Sequence, residues 1–141
     1  MRIVLALSCL LCLLTSCTRH PSYIQAPFNG SISEIDVSAL TPTNPLFYSL
    51  TLGDKKIIFF LVKNNEAVES YFSACGECFP KKVGFYPENG HIRCTACDEW
   101  YTVESLKNGI GSCFPVPLKG ELKGSRFVIT KEALMEGAKF F

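Results

Sequence analysis

Residues 71–101 read YFSACGECFPKKVGFYPENGHIRCTACDEWY: Cys75 and Cys78 form one Cys-x-x-Cys pair, Cys94 and Cys97 a second, and fifteen residues separate the pairs. A Cys-x-x-Cys step brings two sulfurs onto one side of a tight turn, and two such turns brought together supply the four thiolates of a tetrahedral metal site. Between the pairs, Asn89-Gly90 lies between two short β-like runs, a strong local signal for a hairpin. The stretch therefore predicts a zinc-ribbon-like hairpin that gathers Cys75, Cys78, Cys94 and Cys97 into one cage. Tetrahedral sulfur suits zinc, a single iron or an iron–sulfur cluster, so the spacing leaves the identity of the metal open.

Two other uses of the same thiols stand beside the metal. Structural disulfides suit an oxidising compartment, and redox-active thiols would exchange with a partner. A thioredoxin-like site places its pair at the start of a helix, whereas Pro80, Gly84, Pro87 and Gly90 follow Cys78 and break any such helix. Exchange chemistry stays open; a thioredoxin fold does not. His91, three residues before Cys94, is read as an exposed strand histidine rather than a substitute ligand, and His20 lies far upstream. The aromatic set Phe59, Phe60, Tyr71, Phe72, Phe85, Tyr86 and Trp100 is read mainly as core, with shielding of a metal site as its other use.

The N-terminus sets the compartment. MRIVLALSCLLCLLTSC carries Arg2, then an apolar run from Ile3 to Leu14, then small residues before Cys17. This is the layout of an export signal, and the run is well short of the roughly twenty residues a membrane-spanning helix needs. Leu14-Thr15-Ser16-Cys17 resembles the lipobox of bacterial lipoproteins. The resemblance implies cleavage before Cys17 and lipidation of Cys17, hence an extracytoplasmic chain anchored to a bacterial membrane by its lipid. Removing residues 1–16 takes Arg2 with it, which lowers Lys+Arg from 14 to 13 against 13 Asp+Glu. A charge near zero gives no basis for a nucleic-acid partner. Of the eight cysteines, Cys9 and Cys12 leave with the signal and Cys17 takes the lipid, so Cys113 joins the two pairs as a fifth thiol.

Beyond the anchor, residues 17–30 read as lipid anchor and tether, and residues 31–141 as one domain. LFYSLTL (46–52) and KIIFFLV (56–62) flank Gly53-Asp54-Lys55, and Val68, Ser70 and Phe72 alternate with their neighbours. With Ile35 and Val37 before them, these predict successive strands of an antiparallel meander. Thr130 is placed to cap a short helix over KEALME that Gly137 stops, and VESLKNG (103–109) to form another turn or two of helix. The fold class is small α+β with β dominant. No phosphate loop, Ser-His-Asp order or carboxylate pair is present at usable spacing, so the reading is of a binding or redox accessory rather than an enzyme.

Taken in order, IIFFLV, SACGEC, GFYPENGHIRCTAC, GIGSCFPVPL and FVITKEALMEGAKFF resemble the family of membrane iron-sulfur containing, FtrD-like proteins over about residues 32–141. The matching features are Cys75/Cys78, Gly84-Phe85, Cys94/Cys97, Cys113 through Leu118, and Phe140-Phe141. Ala74 and Phe79 depart from the acidic residue and glycine common at those places. The resemblance implies a membrane-associated metal or iron–sulfur domain that works with extracytoplasmic iron uptake, its partners an iron permease or a membrane redox protein. Independently of the resemblance, the glycines before Cys113 and Pro115 and Pro117 after it make a rigid loop that can fold back toward the cage. That reads Cys113 as an exchangeable fifth ligand or a redox partner to one cage cysteine, with an ordinary buried cysteine as the alternative. The signal has a single arginine, so an ion loaded after export suits it better than a cluster assembled beforehand. The remaining alternatives are a thiol–disulfide partner protein and a structural four-cysteine ribbon that presents an interaction surface.

Overall fold

The computed structural model describes residues 22–141; Cys17, His20 and the export-signal stretch lie outside the described residues. The centre is a five-stranded sheet. It is built from β1 (Ile24–Gln25), β3 (Leu46–Leu52), β4 (Lys55–Asn64), β5 (Ala67–Cys75) and β9 (Pro115–Pro117), in the order β1-β3-β4-β5-β9. A second sheet has β2 (Ile32–Asp36) paired to β11 (Arg126–Thr130), which pairs in turn to β10 (Glu121–Lys123). The third contains β6 (Phe85–Glu88), β7 (His91–Cys94) and β8 (Glu99–Tyr101). One short helix, α1 (Lys131–Glu136), follows β11. The class is the β-dominated α+β expected from the sequence.

The middle of β4, Ile57 to Val62, is a continuous apolar run because both faces of the sheet are covered there, which removes the alternation of a half-exposed strand. From β4, Ile57, Phe59 and Leu61 point into a core shared with Ile35, Phe127, Ile129 and Leu134, that is, with the second sheet and α1. Their neighbours Phe60 and Val62 point the other way, into a core with Phe85, Ile92, Cys94 and Tyr101 of the third sheet. The cysteine-bearing sheet is thus one outer layer on a rigid central one. Phe60 stacks on Phe47 at 4.8 Å and on Tyr71 at 5.5 Å, which locks that layer's floor.

β3, β4 and β5 form the expected antiparallel meander, with Leu52 opposite Lys55 and Asn64 opposite Ala67. Lys55 therefore belongs to β4, and the first loop is the two residues Gly53-Asp54, with Gly53 at φ +61°. Three features differ from the sequence reading. β2 leaves the meander to pair with β11, almost a hundred residues later. In the stretch read as tether, Ile24 and Gln25 pair parallel to β3, and Ala26 is buried, so the docked chain begins before residue 31. Residues 103–108 form successive turns instead of helix: the Thr102 and Ser105 hydroxyls bond to local backbone, and Gly109 turns the chain at φ +68°.

The C-terminal helix forms as expected. Thr130 Oγ1 accepts the Ala133 N–H at 3.2 Å, and the Gly137 N–H reaches the Leu134 and Met135 carbonyls. Gly137 has φ −90°, so its glycine is set by packing: a Cβ there would overlap the Phe72 ring.

Candidate functional site

All five domain cysteines meet at one end of the third sheet. Cys75 is the last residue of β5, so the central sheet itself fixes the first sulfur. The chain then turns through Gly76 and Glu77 to Cys78, which caps a 3-10 turn over Phe79–Lys81 with Pro80 inside it. No longer helix starts there. Gly76 donates its N–H to the Phe114 carbonyl at 2.9 Å, and its missing side chain leaves space for the Phe114 ring.

The second pair rides on the hairpins of the third sheet. Asn89 and Gly90 both have positive φ, 51° and 78°, the conformation of a type I′ turn, and they join β6 to β7. Cys94 ends β7 opposite Glu99, so Cys97 lies in the four-residue loop Thr95–Asp98 that leads to β8. Asp98 closes that loop at φ +60°, and Arg93 holds it there: its guanidinium reaches Asp98 at 2.6 Å and Glu88 at 3.0 Å while lying over the Trp100 ring. Ser73 clips the third sheet to β5, its hydroxyl donating to the Phe85 carbonyl and accepting the Phe85 N–H, each at 2.9 Å.

Cys113 arrives from a third direction. Ile110 and Cys113 exchange backbone hydrogen bonds of 2.8 and 2.9 Å around Gly111, and the Tyr101 hydroxyl donates to the Cys113 carbonyl at 2.7 Å. Pro115 then pairs opposite Cys75 as β9 joins the sheet edge, where the missing amide donors of Pro115 and Pro117 are tolerated. That pairing brings Cys113 onto Cys75, their sulfurs 3.6 Å apart.

Cys97 stands at the centre of the group. Its sulfur is bonded to that of Cys113 and lies 3.2 Å from Cys94 and 3.5 Å from Cys78. The four sulfurs that fall within 4.8 Å of one another belong to Cys75, Cys94, Cys97 and Cys113. The two-pair cage drawn from the spacing has Cys78 where this set has Cys113; Cys78 sits at the rim, against Cys97. Cys75, Cys94 and Cys113 are buried, whereas Cys78 and Cys97 are partly exposed.

The electrostatics divide the thiols. Burial acts to raise the Cys75 thiol, but the N–H groups of Cys78, Glu77 and Phe114 aim at its sulfur and hold it below the ordinary thiol value. Burial pushes Cys94 up, against the pull of the Cys97 and Ala96 N–H groups. Burial and the neighbouring Cys75 sulfur also push Cys78 up, opposed by Lys81. Two turns that each point amides at a buried sulfur are a preorganised cradle for thiolate charge, and five converging sulfurs are a donor set that fits zinc, iron or an iron–sulfur group.

His91 lies outside this group. It is exposed at the hairpin tip, its Nδ1 3.1 Å from the Asn89 carbonyl. The aromatic set divides: Phe60, Tyr71 and Phe85 back the sulfurs, Phe59 and Phe72 belong to the opposite core, and Trp100 is exposed over Arg93. Arg93, Ser73, Tyr101 and Gly76 are positioning residues that the sequence reading passed over. A groove of about 580 Å³ runs beside Phe114, Pro115 and Pro117, and no sulfur lines it. Among the described residues no helix is long and apolar enough to cross a membrane.

A family model described as "Membrane iron-sulfur containing protein FtrD-like" matches residues 41–141. No curated protein and no solved structure matches the chain.

Proposed function

Because the chain belongs to the FtrD-like family of membrane iron-sulfur containing proteins, we propose that it is a lipid-anchored, extracytoplasmic metal-binding protein that serves iron uptake, holding its metal with Cys75, Cys94, Cys97 and Cys113. The observation that carries this reading is the convergence of those four sulfurs within 4.8 Å of one another. Metal–sulfur bonds of ~2.3 Å in a tetrahedron place sulfurs ~3.8 Å apart, so once the Cys97–Cys113 bond is reduced, four thiolates gathered this closely suit one ion. A polynuclear cluster interposes sulfide and holds its cysteines further apart.

The chain's own residues supply what a thiolate site needs. Backbone N–H groups from Glu77, Cys78 and Phe114 face Cys75, and those from Ala96 and Cys97 face Cys94, which stabilises charge on both sulfurs. Phe85 and Tyr101 wall the buried side against water, while the partly exposed edge at Cys78 and Cys97 is open to a partner. Bound iron would supply a one-electron couple at that edge. The partner in this reading is an iron permease or a membrane redox protein.

Elemental and acid-labile sulfide analysis of anaerobically prepared protein, with its visible absorption spectrum, tests the reading. One iron per chain without sulfide is expected. Protein that carries no metal would sink the proposal, and iron with equimolar sulfide would replace the single ion by a cluster.

A further inference from the structure

The Cys97–Cys113 bond removes two sulfurs from the four-sulfur set, and one of the two, Cys113, is buried. An external thiol cannot reach the Cys113 side of that bond. Two free thiols lie close enough to Cys97 to exchange with it: Cys94 at 3.2 Å and Cys78 at 3.5 Å. They differ in what they would produce. A disulfide from Cys94 to Cys97 keeps one sulfur in the core, since Cys94 is 0% exposed. A disulfide from Cys78 to Cys97 joins two partly exposed residues at the rim.

We propose that the cluster also performs thiol–disulfide exchange with an external dithiol, with Cys78 as the thiol that carries the buried disulfide to the surface. In the first step the Cys78 thiolate attacks Cys97 Sγ. The Cys78–Cys97 bond forms, the Cys97–Cys113 bond breaks, and Cys113 leaves as a thiolate that takes up the proton Cys78 gave up. No electrons enter or leave, because the step only moves the disulfide. In the second, a thiolate of the external dithiol attacks Cys78 Sγ and releases Cys97; the dithiol's other thiol then displaces Cys78. Two electrons pass from the dithiol, which ends as a disulfide, and the protein ends with five thiols. Exchange of this kind proceeds through attack at a reachable sulfur; Cys97 is itself partly exposed, and the first step, made by a thiol already held 3.5 Å away, moves the disulfide off buried Cys113 onto two rim residues. The consequence reaches beyond metal binding: the same rim thiol that lies outside the four-sulfur set controls when Cys97 and Cys113 become available to it.

The test uses the full chain in detergent, freed of metal by chelation, oxidised, and treated with dithiothreitol. Samples are quenched in acid, their free thiols blocked, and their disulfides mapped by peptide mass spectrometry. A Cys78–Cys97 pairing should appear alongside Cys97–Cys113 in the unsubstituted protein. Cys78→Ser should keep its disulfide on buried sulfurs, as Cys97–Cys113 or Cys94–Cys97, and lose it to dithiothreitol at least tenfold more slowly. Absence of the Cys78–Cys97 pairing, or an unchanged rate in Cys78→Ser, would overturn the proposal. Trapping needs no variant, so a folding defect in Cys78→Ser leaves the test intact. Failure of the metal reading shows up separately, as absence of metal in the anaerobic protein.

Discussion

The Tyr101 hydroxyl donates a 2.7 Å hydrogen bond to the carbonyl of Cys113, tying the last strand of the cysteine-bearing sheet to the loop that delivers the fifth sulfur. Tyr101 is fully buried, with its ring edge-on to Phe85 at 5.9 Å, so the phenol is aimed by packing. Tyr101→Phe keeps the ring and removes only the donor. The carbonyl retains the Ile110 N–H, so the loss should be about 1 kcal/mol, the net worth of one ordinary hydrogen bond. Urea unfolding gives the stability, and alkylation of reduced, metal-free protein should go faster at Cys113. An unchanged alkylation rate would show that the turn at Gly111 holds Cys113 without help.

Replacing single sulfurs separates the two candidate cages. If Cys75, Cys94, Cys97 and Cys113 hold the ion, Cys94→Ser and Cys113→Ser should each lose most of the bound metal, and Cys78→Ser should keep it. Stability should fall with the metal, since binding to thiolates is coupled to folding. Elemental analysis of the three purified variants decides. Full metal in Cys113→Ser together with loss in Cys78→Ser would restore the cage drawn from the two Cys-x-x-Cys pairs.

That choice marks where the sequence stops being legible. The hairpin from Phe85 to Cys94 was readable because Asn89-Gly90 demands left-handed backbone at two adjacent positions, a purely local signal. The meander of β3 to β5 was readable because its apolar and alternating runs flank short turn stretches, although Lys55, read into the first turn, opens β4. The return of Cys113 toward the cage was readable from the glycines and prolines of its loop and its short distance from Cys97. Its seat beside Cys75 was not: that depends on Pro115 pairing with Cys75 across forty positions and on Tyr101 reaching the carbonyl, neither of which leaves a trace in spacing. β1 escaped for the same reason: two residues beside β3 carry no periodicity, and their pairing is parallel. Resemblance to the FtrD-like family pointed to Cys113 as part of the motif, and the fold gives the physical route by which it arrives.

The lipoprotein reading makes Cys17 the point of membrane attachment. Cys17→Ala should leave an uncleaved precursor that takes up no labelled fatty acid, because both cleavage and lipidation are read from the cysteine at that position. Mobility on a denaturing gel and radiolabel from palmitate measure the two directly. Normal processing and labelling in the variant would remove the lipoprotein reading while leaving the sulfur site untouched.

Gly76 offers the sharpest test of how the first Cys-x-x-Cys pair is held. Its φ is not in the left-handed region, so alanine suits the backbone, and the obstacle is the Phe114 ring lying where a Cβ would go. Phe114 is 39% exposed, so the ring has somewhere to move, but it follows Cys113 directly and its carbonyl accepts the Gly76 N–H at 2.9 Å. Displacing it pulls on the fifth sulfur. Gly76→Ala should therefore cost about 1–3 kcal/mol, the usual range for an overpacked contact, and should lower metal retention against a chelator. Phe114→Ala removes the obstacle, so in the double variant the cost of Gly76→Ala should largely vanish, a coupling that contacting residues are expected to show. Urea unfolding of the two singles and the double completes the cycle. Strict additivity would mean that the ring is not what keeps residue 76 a glycine, and that the Gly76 N–H bond to Phe114 alone sets the geometry of Cys75.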